Sequence, residues 1–300
     1  MKIFHKIVYL CRKYLKYLKF IIIIPAHNEA HTILKCLESL ASQIYQNFDC
    51  IVVNDGSSDH TPQLVTTFIK NHPNFKVINL ESSKHQPGAK VVRTFYAGLN
   101  TVTLSEYDII CKFDADIIFP NHYLQRLNEI YSTHPKVGMA SGLVYVKKGN
   151  QWQFENLSSK HHVRGPIKSY RISCFKAMNG LRETLGWDNI DVMLAQMYGY
   201  EICTDKQLWV KHLRPTAEKY KSEKAKKLGI YFYNIGLNLP LAMVSSLKSS
   251  CKNRSAKEFF ITMKSFTHQK HPRLLNKEEI KYIRHHRNPL KNLFKSSTKN

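Results

Sequence analysis

The 300-residue chain lacks any arrangement of cysteines that could organise its fold. Its seven cysteines are odd in number, lie scattered between residues 11 and 251, and include no C-x-x-C pair. Disulfide frameworks and structural zinc sites both rely on grouped cysteines, so the sequence argues against both. We expect buried, reduced thiols in a cytosolic protein.

Long apolar runs and a secretory leader are lacking as well. The nearest approach to a membrane-spanning run is 229–247, which has no charge but is weakened by two asparagines, a proline and two serines. Near the start, the stretch "CRKYLKYLK" interrupts the apolar residues with cations, and no small-residue cleavage site follows. The sequence therefore predicts neither a spanning helix nor a signal peptide.

Acidic residues are scarce at both ends of the chain, whose net charge is +23. Residues 1–19 contain six basic side chains and no acid, and residues 211–300 contain 21 basic and five acidic ones. The intervening residues 20–210 are nearly balanced, with 18 basic and 17 acidic side chains. Nucleic-acid enzymes usually place basic charge around the active site, whereas charge on the ends suits an anionic membrane surface. Nucleic acid is accordingly an unlikely partner.

A helix is predicted over residues 3–18. Its apolar stripe consists of Ile3, Ile7, Leu10, Tyr14 and Leu18, and most of its lysines lie on the opposite side. This pattern fits a helix lying in the membrane interface. It fits equally well a helix docked on the core of the protein itself.

From residue 20 the pattern changes to alternating strands and helices. Strands are predicted at 20–24, 50–54, 75–80 and 108–113, and helices at 29–44, 60–71, 88–103 and 121–133. Two of these strands are nearly continuous apolar runs, which indicates a sheet covered on both faces. Right-handed crossovers place all the strand ends on one edge, where such sheets bind their ligands.

Beyond residue 135 the alternation becomes less regular. Further strands are predicted at 137–146 and 200–212, with a helix at 188–198 between them. From residue 218 onward the chain is basic and aromatic and shows no clear sheet pattern.

Carboxylates follow two of the predicted strands. Asp55 ends the second strand and precedes a glycine turn, where it can accept hydrogen bonds from a base or a ribose. Asp114 and Asp116 follow the fourth strand at i and i+2, so they point the same way. Two neighbouring carboxylates repel each other unless a cation intervenes, and Mg²⁺ or Mn²⁺ would also bind the phosphates of a substrate. Asp59, by contrast, is equally explained as a helix cap.

Five motifs in order resemble the family 2 glycosyltransferases, inverting nucleotide-sugar enzymes with the GT-A fold. They are "IIPAHNE", "VVNDGSSD", "GAKVVRTFYAGL", "FDADIIFP" and "WDNIDVMLAQMYGYEI", and the resemblance covers about residues 20–215. The chain is most similar to non-processive members that build bacterial surface glycans, since the Q-x-x-R-W signature of the processive synthases is absent.

This resemblance implies an α/β fold whose central sheet is mostly parallel and flanked by helices. It divides the chain into the basic residues 1–19, a GT-A domain at 20–217 and a basic, helical, membrane-associated extension at 218–300. Within the domain, residues 20–116 would bind the nucleotide and residues 117–217 would provide the acceptor and catalytic half.

The resemblance also assigns roles to individual residues. Asp116 and His212 would hold Mn²⁺ or Mg²⁺, although His212 taken alone reads as an ordinary surface or core histidine. The residues that would bind the nucleotide sugar are Pro25, Ala26, Glu29, Asp55, Gly88, Lys90 and Asp114.

An inverting transfer also needs a general base on the acceptor side of the sugar. Family members usually place an aspartate eleven residues before a "GY" pair, which in this chain is Asp188. Asp191 is the close rival, and Trp187 stands where relatives often have glutamate, so both aspartates stay candidates. Asp188 could instead cap the helix.

Three cations, Arg164, Lys168 and Arg171, lie in the stretch where acceptor loops usually occur. They would contact an acceptor phosphate or the leaving diphosphate, or else they are solvated surface charges.

These expectations combine into a glycosyltransferase that is peripheral on the cytoplasmic face of the cell membrane. It would transfer a sugar from a UDP or GDP donor to a lipid-linked or glycan acceptor in cell-envelope polysaccharide or glycolipid synthesis. One alternative is a polyprenyl-phosphate glycosyltransferase. Another, of a different class, is a basic nucleic-acid-binding protein with a degenerate GT-A fold.

Overall fold

The computed structural model describes residues 16–81, 88–214 and 221–288. Its strands are β1 (Phe20–Ala26), β2 (Phe48–Asp55), β3 (Phe75–Leu80), β4 (Ile109–Phe113), β5 (Ile117–Ile118), β6 (Val137–Lys148), β7 (Gln151–Phe154), β8 (Ile167–Arg171) and β9 (Glu201–His212). Its helices are α1 (Ile33–Ala41), α2 (Thr61–Ile69), α3 (Ala89–Leu99), α4 (Tyr123–Thr133), α5 (Ile172–Ala177), α6 (Trp187–Met197), α7 (Lys221–Asn234), α8 (Leu239–Lys252), α9 (Ala256–Thr267) and α10 (Lys277–Arg287).

The strands form one mixed sheet in the order β3-β2-β1-β4-β8-β6-β9-β5, with β7 paired to β6. The first four are mutually parallel, β8 runs antiparallel to β4 and β6, and β9 is parallel to β6. The carboxyl ends of β1, β2 and β4 consequently meet at one edge, as right-handed crossovers require. The predicted α/β sheet flanked by helices is confirmed.

Strand β1 shows why the central sequence is so apolar. Ile22 and Ile24 face one core, which α1 and α4 cover, and Ile21 and Ile23 face the other, which α3, α6 and α7 cover. All four isoleucines are completely buried. A strand covered on both faces cannot alternate apolar with polar residues.

The predicted elements are found with shifted ends. Strand 75–80 is correct as predicted, whereas the helix predicted at 29–44 extends only over Ile33–Ala41. Strand β8 was not predicted, because its sequence IKSYR is polar although Ile167 to Tyr170 are all buried. Buried lysine and serine in a strand give no signal that a hydrophobic pattern could detect.

The C-terminal extension is helical, as predicted, and packs onto the α/β domain. Phe232 and Ile235 of the α7 region and Ile283 of α10 belong to the same core as α3 and α6. The uncharged stretch 229–247 is split by a turn between α7 and α8, where Leu237 is fully buried. Among the described residues, every helix is too short or too polar to cross a bilayer.

The amphipathic helix predicted at 3–18 lies almost wholly outside the described residues. Only residues 16–18 of this segment are described, and they are not helical.

Candidate active site

The loop after β1 is tied to the loop after β2 by its polar residues. His27 Nδ1 lies 2.7 Å from the backbone oxygen of Asp55. Asn28, in the left-handed region with φ 56°, donates its N–H to Ser57 Oγ at 3.0 Å and accepts the N–H of Ser58 through Oδ1 at 2.8 Å. The two strand ends are thus held together at the sheet edge.

A cleft of about 410 Å³ opens at this edge. It brings together all seven residues predicted to bind the nucleotide sugar, and Asp116 with them. Its lining consists of Pro25, Ala26, His27, Glu29, Asp55, Gly88, Lys90, Val91, Thr94, Asp114, Ala115, Asp116 and Arg214.

One wall of the cleft is built on Asp55. Its Oδ2 accepts a hydrogen bond from Thr94 Oγ1 at 3.0 Å and lies 3.2 Å from Lys90 Nζ. Asp55 and Lys90 are mostly buried, so this charge pair is positioned before any ligand enters. Asp59, in contrast, accepts the N–H groups of Ala30 and Thr61 and so joins the two loops, while the N-cap position of α2 is His60 and not Asp59.

Gly88 forms the entry to α3 and must be a glycine. Its φ is +77°, and an added Cβ would stand 2.7 Å from Leu185 Cα and 2.8 Å from the oxygen of Thr184. The start of α3 therefore contacts the backbone just before α6, which brings the donor cleft next to the start of the helix that carries the two candidate bases.

Asp114 is linked to the beginning of α6 through Lys112. The buried Lys112 ammonium contacts Asp114 Oδ1 and lies 5.3 Å from the centre of the Trp187 ring. It is also 3.4 Å from the backbone oxygen of Gly165, whose Cα faces Asp188 so closely that a Cβ would lie 3.5 Å from Oδ2. Asp188 thus lies just beyond the Asp114 end of the cleft.

Asp116, which lies between β4 and β5, is the centre of a network of charged side chains. Its Oδ2 lies 3.4 Å from His212 Nε2 and 3.3 Å from Arg214 Nε. Burial opposes ionisation, but hydrogen bonds and charge from His212 and Arg214 hold the pKa of Asp116 below its usual value. Asp116 is therefore an ionised carboxylate at neutral pH.

His212 is shared between two carboxylates. Its Nδ1 lies 3.3 Å from Glu155 Oε2, which also forms an ion pair with Arg164. Burial would lower the pKa of His212, but Asp116 and Glu155 raise it to about 9. Without a bound metal ion, the ring is therefore protonated at neutral pH.

Arg214 closes the network toward the cleft. Its guanidinium contacts Glu29 Oε1 as well as Asp116, and its side chain is 58% exposed. Burial raises the pKa of Glu29, and Arg214 partly offsets this effect. A guanidinium that lines the cleft and is open to solvent is suited to meet an anionic ligand.

The residues around Asp116 fit a divalent metal ion. Asp116 Oδ1 is buried and has no hydrogen-bond partner in the described part of the chain. That same part contains no group of three or more histidine, cysteine or acidic side chains that could hold a metal alone. Mg²⁺ commonly takes one or two protein carboxylates and completes its shell with substrate phosphates and water, so this sparse donor set is suitable.

The two candidate bases differ in their surroundings. Asp191 is 1% exposed, lies 2.8 Å from the completely buried Lys168 Nζ, and accepts the Tyr170 hydroxyl at 2.6 Å. Burial raises the pKa of Asp191, against the opposing charge of Lys168. Asp188 is partly exposed, and its side-chain contact is a 3.4 Å hydrogen bond from the Asn189 amide.

The three predicted acceptor contacts do not behave alike. Arg164 is bound to Glu155, next to His212, and so belongs to the active-site network. Lys168 donates to the backbone oxygen of Asp188 at 2.7 Å and is sealed from solvent, so it cannot meet an acceptor phosphate. Arg171 donates to the backbone oxygens of Val137, Tyr131 and His134, which makes it a structural cation.

Sequence reasoning missed Arg214 and Glu155. Arg214 stands two residues after His212 in the stretch "WVKHLRP", and this spacing from a predicted ligand could have suggested it. Glu155 follows the short strand β7, and no local pattern marked it.

These features define an α/β protein with a cleft lined by charged groups at the strand ends. The Glycosyl transferase family 2 model matches residues 21–185, more than half of the chain. The chain therefore belongs to glycosyltransferase family 2.

A curated relative is the poly-beta-1,6-N-acetyl-D-glucosamine synthase of Staphylococcus epidermidis. It is 29% identical over 121 residues, which cover 40% of this chain and 27% of the synthase. The chain thus matches less than a third of the length of that relative.

Solved structures share the fold. The TarS 1–349 structure of S. aureus in complex with UDP-GlcNAc has a TM-score of 0.59 at 18% identity, over 83% of this chain and 79% of that one. The mannosyltransferase PcManGT from Pyrobaculum calidifontis, in complex with GDP-Man and Mn²⁺, has a TM-score of 0.57 at 15% identity, over 96% and 93%. These likenesses confirm the GT-A fold.

Proposed function

We propose that the protein is an inverting, metal-dependent glycosyltransferase that uses a nucleoside-diphosphate sugar. The observation that carries this proposal is the cleft in which the residues expected to bind the donor converge with Asp116, the expected metal ligand. Neighbours of the same fold have been solved with UDP-GlcNAc and with GDP-Man, which supports either donor type.

Charged side chains in the cleft would bind different parts of the donor. Asp55, held by Thr94 and Lys90, would accept hydrogen bonds from the base or ribose. Lys90 and Arg214 would face the diphosphate, and Arg214 would exchange part of its contact with Glu29 for a phosphate oxygen. Glu29 would remain on the nucleotide side of the cleft after losing part of its contact with Arg214.

Asp116 would hold the metal ion, with His212 beside it. When bound, Mn²⁺ or Mg²⁺ supplies positive charge that stabilises the diphosphate leaving group. His212 can bind a metal only as the neutral ring, so metal binding would release the proton that Asp116 and Glu155 now stabilise. Glu155, fixed by Arg164, would orient the ring through Nδ1.

Asp188 would be the general base. An acceptor hydroxyl would attack the anomeric carbon as the bond from that carbon to the diphosphate oxygen breaks, and Asp188 would take the hydroxyl proton. Partial exposure and proximity to the Asp114 end of the cleft favour Asp188. Asp191 would instead form the buried ion pair with Lys168. Lys168 in turn donates to the backbone oxygen of Asp188 and so fixes the position of that residue.

The acceptor would be a membrane-held glycan or glycolipid of the cell envelope, used at the cytoplasmic face. The basic ends of the chain support this location, and a glycan acceptor is in keeping with a curated relative that is a poly-beta-1,6-N-acetyl-D-glucosamine synthase. Arg164 would be the cation nearest to an incoming acceptor phosphate.

A thermal-shift screen of UDP and GDP sugars with Mn²⁺ tests the proposal. A donor present at 100 times its dissociation constant should stabilise the protein by about 2.7 kcal/mol. The hit should need the metal ion and should be lost in Asp55→Ala. A screen in which no nucleotide sugar raises the melting temperature, with or without metal, would reject the proposed function.

A further inference from the structure

Helix α8 (Leu239–Lys252) is turned with its large apolar side chains to solvent. Leu239, Met243, Val244 and Leu247 are between 45% and 57% exposed. The positions 239, 243 and 247 follow each other at i+4 and so form one row along the helix. The exposed Cys251 continues the row at the next turn.

The face of α8 that packs against the protein carries small residues, and it lies beside the apolar row. Ala242, Ser246 and Ser250 are at most 5% exposed, and the buried Ser246 hydroxyl has no hydrogen-bond partner in the ranges that the structure describes. An ordinary surface helix buries its large apolar residues, as α1 does with Ile33, Leu37 and Leu40. The reversed arrangement on α8 leaves a row of apolar side chains for a partner.

Charge around the row selects the kind of partner. Lys248, Lys252, Arg254 and Lys257 lie at its C-terminal end, and residues 235–257 contain no acid. In a two-fold interface with a second copy of the chain these cations would find no acidic partner on α8, because the same acid-free segment faces itself. An anionic bilayer offers both an apolar interior for the row and negative charge for the lysines.

We infer that the outer face of α8 is a docking surface for an anionic membrane. Leu239, Met243 and Leu247 enter the headgroup boundary while Lys248 and Lys252 meet lipid phosphates. The inference deepens the proposed function and rests on it for the membrane-held acceptor. It assigns to one folded surface a contact that net charge alone would spread over both ends of the chain.

Co-sedimentation of the full chain with vesicles tests the surface. Wild type should bind vesicles of phosphatidylcholine mixed with phosphatidylglycerol and should bind pure phosphatidylcholine poorly. Met243→Ser/Leu247→Ser should lower the partition coefficient about tenfold or more, because two large side chains no longer leave water. Ile44→Ser, at an equally exposed isoleucine on another part of the surface, should bind as wild type does.

The lysines provide an independent readout. Lys248→Gln/Lys252→Gln should weaken binding at low salt by about fivefold for each charge removed, and this difference should shrink at high salt. Donor titration of every variant should be unchanged, so failure of vesicle binding is distinguishable from failure of the proposed function.

A fluorophore on Cys251 locates the contact. In a Cys11→Ser/Cys203→Ser background the label should shift to the blue when anionic vesicles are added, since residue 251 lies on the apolar row. Equal vesicle binding by wild type and Met243→Ser/Leu247→Ser, or an unshifted label, would overturn the inference. A lipid-free dimer that the double substitution dissolves would also overturn it, in favour of a second copy of the chain.

Discussion

Two halves of the domain use charge differently: residues 20–116, which we propose to bind the donor, and residues 117–214, which we propose to form the acceptor half. In the donor half, Asp55 and Asp114 come directly from the ends of parallel strands and face the cleft. In the acceptor half, Lys168 and Asp191 neutralise each other under α6, where neither meets solvent. The two carboxylates of the first half face the cleft, whereas this buried pair of the second half fixes the position of the partly exposed Asp188.

Replacement of the two aspartates of α6 tests this difference most strongly. Asp188→Asn should lower turnover by roughly 10²–10⁴-fold, because the acceptor hydroxyl loses its proton acceptor. Donor affinity and the unfolding free energy should stay near wild type. Steady-state kinetics with the donor identified by the thermal-shift screen provide the measurement.

Asp191→Asn is the matched comparison, and it should act mainly on stability. If a well-folded Asp191→Asn protein lost turnover while Asp188→Asn kept it, the base would be Asp191 and the contrast between the halves would fail.

The buried ion pair itself is the next target. Lys168→Met should destabilise the protein by about 3–5 kcal/mol, since it leaves the Asp191 carboxylate buried without its counter-charge. Lys168→Met/Asp191→Leu should recover much of that loss. Urea unfolding measures both, with the exposed Lys76→Met as control. A Lys168→Met protein as stable as the control would show that the pair is not the structural element described.

Arg214 extends from the second half of the domain into the cleft, and its removal tests donor binding in a milder way. Arg214→Ala should weaken donor binding roughly tenfold, because one charge-assisted contact to the diphosphate is lost. Titration calorimetry with Mn²⁺ present measures the change, and the exposed Lys206→Ala serves as control. Unchanged affinity would remove Arg214 from the donor site.

A smaller effect concerns pH and the acceptor half. Burial, followed by the charge of Lys168, lowers the pKa of His162 to about 4. In the unfolded chain the His162 ring binds a proton near pH 6.5, whereas in the folded protein the ring stays neutral down to about pH 4. The free energy of unfolding should therefore fall as the pH drops from 6.5 toward 4. His162→Gln should remove about 1–2 kcal/mol of this loss, after a discount for the part of the ring that water reaches. An identical pH profile in both proteins would contradict the shift.

The donor half could be predicted from sequence because its signals are local. Apolar runs followed by polar residues revealed β1, β2 and β4, and the topology of parallel strands brought Asp55, Asp114 and Asp116 together. All the residues assigned to the nucleotide sugar line one cleft.

The acceptor half was harder to predict because its contacts join residues that are distant in the sequence, and no local sequence pattern marks them. Lys168 is a buried partner of Asp191 and looked like a loop cation, while Arg171 binds backbone oxygens of α4 and the turn after it. For the same reason the exposed apolar row of α8 could not be predicted. Small and large side chains are mixed along this helix, and the sequence does not indicate which of them pack inward.

The central claim is that one cleft binds a nucleotide sugar through a metal ion at Asp116. Titration of the screened donor into wild type and Asp116→Asn, each with Mn²⁺ and with a chelator, tests it most directly. The account predicts tight binding only by wild type with Mn²⁺, and a loss of binding in the variant and on chelation. Donor binding that is the same in Asp116→Asn, and indifferent to the chelator, would contradict it.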